Sequence, residues 1–114
     1  MAGMKHGLRL LLPVYFDGFN LDNAAEIEFV FTQHRDQKSA ILKSALYKSD
    51  GTGDASRNEN AICVPWTVEE TALFRADDFF YMDTRITPTN GIYQPPTNIV
   101  KLRMDMTLFK QEEG

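Results

Sequence analysis

The sequence predicts an all-β domain, an antiparallel sandwich of six or seven strands with one short capped helix near residues 67–74. Two segments, 26–33 and 99–109, alternate apolar and polar residues with a period of two. The stretches between strands are clusters of Gly, Asn, Asp and Pro, with no room for the crossover helices of a parallel sheet. The length, 114 residues, suits one domain, placed at residues 7–110, with residues 1–6 and 111–114 as flexible termini.

Leu8 to Phe16 is rich in Leu and Val and ends in Asp17-Gly18, a strand closed by turn chemistry. Pro13 cannot donate to a ladder, which puts this strand at a sheet edge or breaks it at a bulge. In residues 26–33, Ile27, Phe29 and Phe31 share one face and Glu26, Glu28 and Thr32 the other, with Val30 as the exception. Residues 34–38 are a polar break. Residues 39–48 fit both periods: Ala40, Leu42, Ser44 and Leu46 form one face of a strand, and Ile41, Leu42, Ala45 and Leu46 one stripe of a helix. The β context on both sides selects the strand.

Residues 49–58 have almost no apolar content and read as a long exposed loop or hairpin tip. Residues 61–66 resume as a short strand that Pro65 limits. Thr67-Val68-Glu69-Glu70 spells a capping box, which starts a helix of one or two turns and lets Leu73 and Phe74 point inward. Residues 79–86 form a strand with Phe80, Met82 and Ile86 on one face. Thr87 to Gly91 is a turn, and Gln94-Pro95-Pro96 extends the loop. In the last strand Val100, Leu102, Met104, Met106 and Leu108 face one way.

Charge and composition exclude several function classes. The first 57 residues carry seven bases and seven acids, and the rest five bases and nine acids, for a net charge of −4. No basic footprint exists for a phosphate backbone, which argues against nucleic acid as a partner. No apolar run reaches membrane-spanning length, so no membrane partner is expected. The single cysteine, Cys63, lies in an apolar run and reads as a buried structural thiol in a chain suited to a reducing cytoplasm.

The order of elements resembles a family of small prophage proteins of Gram-positive bacteria. Ile27-Glu28-Phe29-Val30-Phe31-Thr32-Gln33 is similar to its I-x-F-x-F-x-Q strand. Val64-Pro65-Trp66-Thr67-Val68-Glu69-Glu70-Thr71-Ala72-Leu73-Phe74 resembles its V-x-L-T-x-E-E-T-x-x-F block. Tyr81 to Arg85 loosely matches a Q-x-R strand, and Asn98-Ile99-Val100 a closing N-I-V strand. Two departures stand out: Trp66 replaces a Leu, and the loop over residues 49–60 is longer than a compact turn. The resemblance implies an Ig-like sandwich and a non-enzymatic structural role in a phage tail or baseplate. It also implies assembly with other virion proteins and with further copies of the chain, and a virion location after synthesis in the bacterial cytoplasm. It brings no catalytic residues with it.

The residues themselves offer little chemistry. His34 and Asp36 are too few for a metal site, and Asp50-Gly51-Thr52-Gly53-Asp54 lacks the donor series of a calcium loop. Asp77-Asp78 and Glu69-Glu70 read as helix-end charges, with Glu70 used in the cap. No nucleophile elbow, phosphate loop or dinucleotide fingerprint occurs, so neither catalysis nor a cofactor is expected. The expected contact surface is the loop carrying Ile92, Tyr93, Pro95 and Pro96, where a flanked aromatic can anchor a protein interface. The alternative is a carbohydrate- or host-surface-binding module that uses Tyr81, Tyr93 or Trp66 as stacking platforms.

Overall fold

In a computed structural model describing residues 3–91 and 97–106, eight strands form two layers, joined by one short α-helix and a single 3-10 turn at Leu21–Asn23. The strands are β1 (Gly3–Lys5), β2 (Leu10–Tyr15), β3 (Ala24–Thr32), β4 (Ile41–Lys48), β5 (Ser56–Asn58), β6 (Ala61–Trp66), β7 (Asp78–Pro88) and β8 (Val100–Asp105), with helix α1 (Val68–Ala72) between β6 and β7. One sheet has the order β1-β8-β7-β3-β4 and the other β2-β6-β5. Setting β3, β7 and β8 against β2, β5 and β6, with β4 widening the first sheet, is an Ig-like strand arrangement. The fold class is therefore an all-β Ig-like sandwich.

Several details differ from the sequence reading. Gly3–Lys5, expected as part of a flexible terminus, pairs in parallel with β8, and Met4 is buried. A parallel pair closes no local hairpin, so no turn pattern announces it. This pair is also the exception to the antiparallel expectation. Within the expected loop, Ser56–Asn58 form β5; its three exposed polar residues leave no alternation to read. These two strands raise the count to eight among the described residues. In β4 the buried face is Lys43, Ala45 and Tyr47, not the Leu42–Leu46 parity. Of the last expected strand, residues 107–109 lie outside the described residues.

The core lies between the layers. Ile27, Phe29 and Phe31 from β3 are fully buried, as are Phe80 and Met104, against Ile62, Val64 and Trp66 of the second sheet. Four aromatic rings form its centre. Trp66 sits 4.8 Å from Phe31 and 5.4 Å from Phe74, and Phe74 is 5.0 Å from Phe80. Such edge-on and tilted contacts contribute beyond burial alone. They join the layers where antibody domains use a disulfide. Cys63 does not enter this core: Ile62 and Val64 point inward, which turns Cys63 to the outer face, half-buried. The placement of Pro13 follows its chemistry, because among the described residues β2 is an edge strand that pairs with β6 alone.

Helix α1 closes one end of the sandwich. The Thr67 hydroxyl accepts from the Glu70 N–H at 3.2 Å, and the Glu70 carboxylate accepts from the Thr67 N–H at 2.8 Å. Phe74 is buried, but Leu73 is 57% exposed, so Phe74 alone plugs the core. Leu73 is the C-cap of a five-residue helix, and its direction leads away from the sheets. Gln33, last residue of the I-x-F-x-F-x-Q motif, staples this end. Its side chain donates to the Phe79 carbonyl at 2.6 Å and accepts from the Arg75 N–H at 2.9 Å.

The long loop after β4 folds back along that strand. The Asp54 carboxylate accepts from the Leu46 N–H at 2.6 Å, and the Ala55 N–H donates to the Leu46 carbonyl at 3.1 Å. An exposed sheet edge invites pairing with other chains, and this loop covers part of one. Gly53 permits the close approach: a Cβ there would collide with the Leu46 carbonyl oxygen. Gly53→Ala is expected to cost about 1–3 kcal/mol. It should also speed hydrogen exchange at the Leu46 amide, read by NMR; unchanged exchange and stability would contradict this packing.

Candidate functional site

The outer face of the five-stranded sheet carries an apolar depression. Cross-strand pairing sets one row of Lys101, Tyr81, Thr32 and Ile41, and beside it a row of Asp83, Val30 and Ser44. Val30 and Tyr81 are half-buried and form the floor of a depression of about 440 Å³. Ile41 and Ile99, 61% and 42% exposed, stand on opposite sides. The turn from His34 to Ser39 forms the rim. Next to it, Lys101 Nζ lies 3.9 Å from the centre of the Phe79 ring, a cation–π contact at the edge of the face. Farther along the face, Arg85 grips Glu28 with two 2.8 Å bonds, which fixes the charges there to each other.

His34, Asp36 and Asp83 all border the depression, yet they do not form an acid–base pair. Asp36 accepts from the backbone N–H groups of Lys38 and Ser39 at 2.8 and 2.7 Å and builds the turn. Asp83 accepts from the Thr84 N–H at 2.9 Å. Three further acids are equally committed. Asp77 accepts from the Met106 N–H at 3.1 Å, Asp78 from the Phe79 N–H at 2.7 Å, and Asp50 from both the N–H and the hydroxyl of Thr52. Among the described residues no group of three His, Cys, Asp or Glu converges on a metal position.

The expected contact residues Ile92, Tyr93, Pro95 and Pro96 lie outside the described residues. Trp66 is not a stacking platform, because the aromatic cluster buries it. Tyr81 does reach the surface, as the floor of the depression. Sequence reasoning missed the depression as a site, although Val30 signalled it. An apolar residue at outward parity, in a strand whose inward set is already complete, marks a surface that is not purely solvated.

No protein-family model matches the chain, and no curated protein matches it. Among solved structures, it resembles the extracellular domain of the voltage-gated sodium channel beta4 subunit. That domain is described as a parallel homodimer that explains a role in cell–cell adhesion. The TM-score is 0.42 at 13% identity, over 93% of this chain and 87% of that chain. A likeness at that level says nothing of partner or activity here; the fold stands on its own strand order.

Proposed function

We propose that this chain is a non-enzymatic structural protein of a phage or prophage virion, a tail or baseplate component that works by protein–protein assembly. The observation that carries the assembly reading is the depression between Ile41 and Ile99. Two exposed isoleucines flank an apolar floor with polar and charged residues around it, the form of a small interface centre with a polar rim. The virion setting draws its support from the 27–33 and 64–74 motif blocks, whose residues build the core strand, the cap and the end plug.

Ile41→Asp tests it. Ile41 is mostly exposed, so the stability change is expected to stay within about 0.5 kcal/mol. Capture of neighbouring virion proteins in a pull-down should fall by about tenfold or more. Equal capture by both forms would overturn the use of this face. Saturable binding on a glycan array, with no protein captured, would overturn the assembly reading itself.

A further inference from the structure

Strands β2 and β6 are apolar at both parities. Leu10-Leu11-Leu12-Pro13-Val14-Tyr15 and Ala61-Ile62-Cys63-Val64-Pro65-Trp66 contain no charged residue. Such runs belong to strands covered on both faces; an antiparallel sheet with one side in water alternates apolar with polar. One face is accounted for, because Leu12, Ile62, Val64 and Trp66 enter the core. The other face is open. Leu11 and Tyr15 are 62% and 64% exposed, Pro13 is exposed between them, and Cys63 and Pro65 lie half-buried across the ladder. On β5, Ser56 and Asn58 extend this face without adding a charge. The edge of β2 is a poor place for a further strand. The Phe16 N–H donates across the ladder to the Asn60 carbonyl at 3.3 Å, so the even-numbered residues of β2 turn their backbone groups toward β6. Pro13 therefore faces the edge, where it has no N–H to offer. The outer face has matched ends. Pro13 and Cys63 stand opposite each other at its centre. Two residues on, at about 7 Å, Tyr15 rises as an exposed knob. Two residues back, Leu11 and Pro65 border a cavity of about 480 Å³, with Arg9, Thr67 and Val68 in its wall. Arg9 and Asp17, both exposed and opposite in charge, lie four residues to either side of Pro13.

We infer that this face packs against the same face of a second copy of the chain, about a two-fold axis that crosses the strands at Pro13 and Cys63. Turning one copy over about that axis sets each Tyr15 above the partner's cavity and each Arg9 toward the partner's Asp17. Both ends are matched at once, as an isologous contact requires, and the assembly closes at two copies. Between the ends no like charges oppose each other, which matters for two chains of net charge −4. Stacked sheets lie about 10 Å apart, so the two Cys63 side chains face each other across the axis. The face, about 20 Å long and about 14 Å wide, is at the small end for a specific interface, so the dimer forms reversibly. It lies on the sheet opposite the depression and stands apart from the virion reading.

Sedimentation velocity of the full chain over rising concentration is the test. A shift from 13.0 kDa to twice that mass is expected. Tyr15→Ala should weaken the dimer by at least about tenfold. Arg9→Asp and Asp17→Arg should each weaken it by about fivefold, since each sets like charges against each other at both ends. An equal mixture of those two variants should recover the parent's association, because each presents the charge that the other needs. All three substituted residues are exposed, so the variants are expected to fold. A short bis-maleimide should join two parent chains through Cys63 and should leave Cys63→Ser chains single. Monomers at every concentration, unaltered association of Tyr15→Ala, a mixture no tighter than either variant alone, or dimers that Cys63 does not cross-link would each overturn the inference. Ile41→Asp should dimerise like the parent; its failure to do so would move self-association to the depression and overturn the inference too. Loss of virion capture in Ile41→Asp with dimers intact would leave this inference standing and bear on the depression alone.

Discussion

Trp66→Ala is expected to cost about 3–5 kcal/mol, a large share of the stability of a domain this size. Trp66 is 2% exposed and touches Phe31, Phe74 and Phe80, which come from β3, the end plug and β7. Truncation would empty the point where both layers and the end of the sandwich meet. Trp66→Leu should cost clearly less, for two reasons. Leucine refills part of the volume. It also removes the indole N–H, which is buried here without a hydrogen-bond partner, a defect worth about 1–3 kcal/mol. Urea unfolding followed by far-UV circular dichroism measures the pair of variants, since Trp66 is the chain's single tryptophan and its fluorescence is lost. A Leu variant as unstable as the Ala variant would contradict this account of the cluster.

Glu70→Ala is the second large effect, expected at about 2–3 kcal/mol near neutral pH. One carboxylate serves two structures. It completes the capping box at the Thr67 N–H, and it lies 2.8 Å from Lys43 Nζ. The lysine side chain is 4% exposed and rests 5.5 Å from the centre of the Trp66 ring. Removing Glu70 would strand that ammonium, though the carboxylate's own 30% exposure moderates the penalty. Replacing both partners, as Lys43→Leu with Glu70→Gln, should recover most of the loss. Burial works against the charge of Glu70, but the bonds from Lys43 and Thr67 outweigh it and hold its pKa below the ordinary glutamate range. A folded-state pKa below the unfolded one stabilises above the unfolded value, and that contribution fades as pH falls through the folded value. The stability gap between the parent and Glu70→Gln should therefore be full at neutral pH and close in acid. A gap that stayed constant through that range would contradict the role given to Lys43.

Much of the fold was legible because its signals are local. The alternation of Ile27, Phe29 and Phe31, the Thr67–Glu70 box and the edge chemistry of Pro13 each depend on residues within a few positions. The hidden parts depend on distant partners. Strand β1 exists because residues 103–105 offer a flank, and nothing near Met4 encodes that meeting. The buried parity of β4 is set by Lys43, a charged residue that alternation rules send outward; its partner Glu70 lies across the end of the sandwich. The depression was half legible. Val30 and Tyr81 could be placed at outward parity, but their neighbourhood with Ile41 and Ile99 depends on sheet order, which one sequence does not reveal.

The central claim is that this sandwich acts through a protein-binding surface on its five-stranded sheet, and its most direct test is hydrogen exchange read by mass spectrometry. The chain would be measured alone and with the virion proteins proposed as its partners. The account predicts slower exchange on binding in peptides covering residues 30–41 and 79–83, with the core peptides of β6 unchanged. Slower exchange confined to the outer face of the three-stranded sheet, or no difference between the two samples, would contradict it.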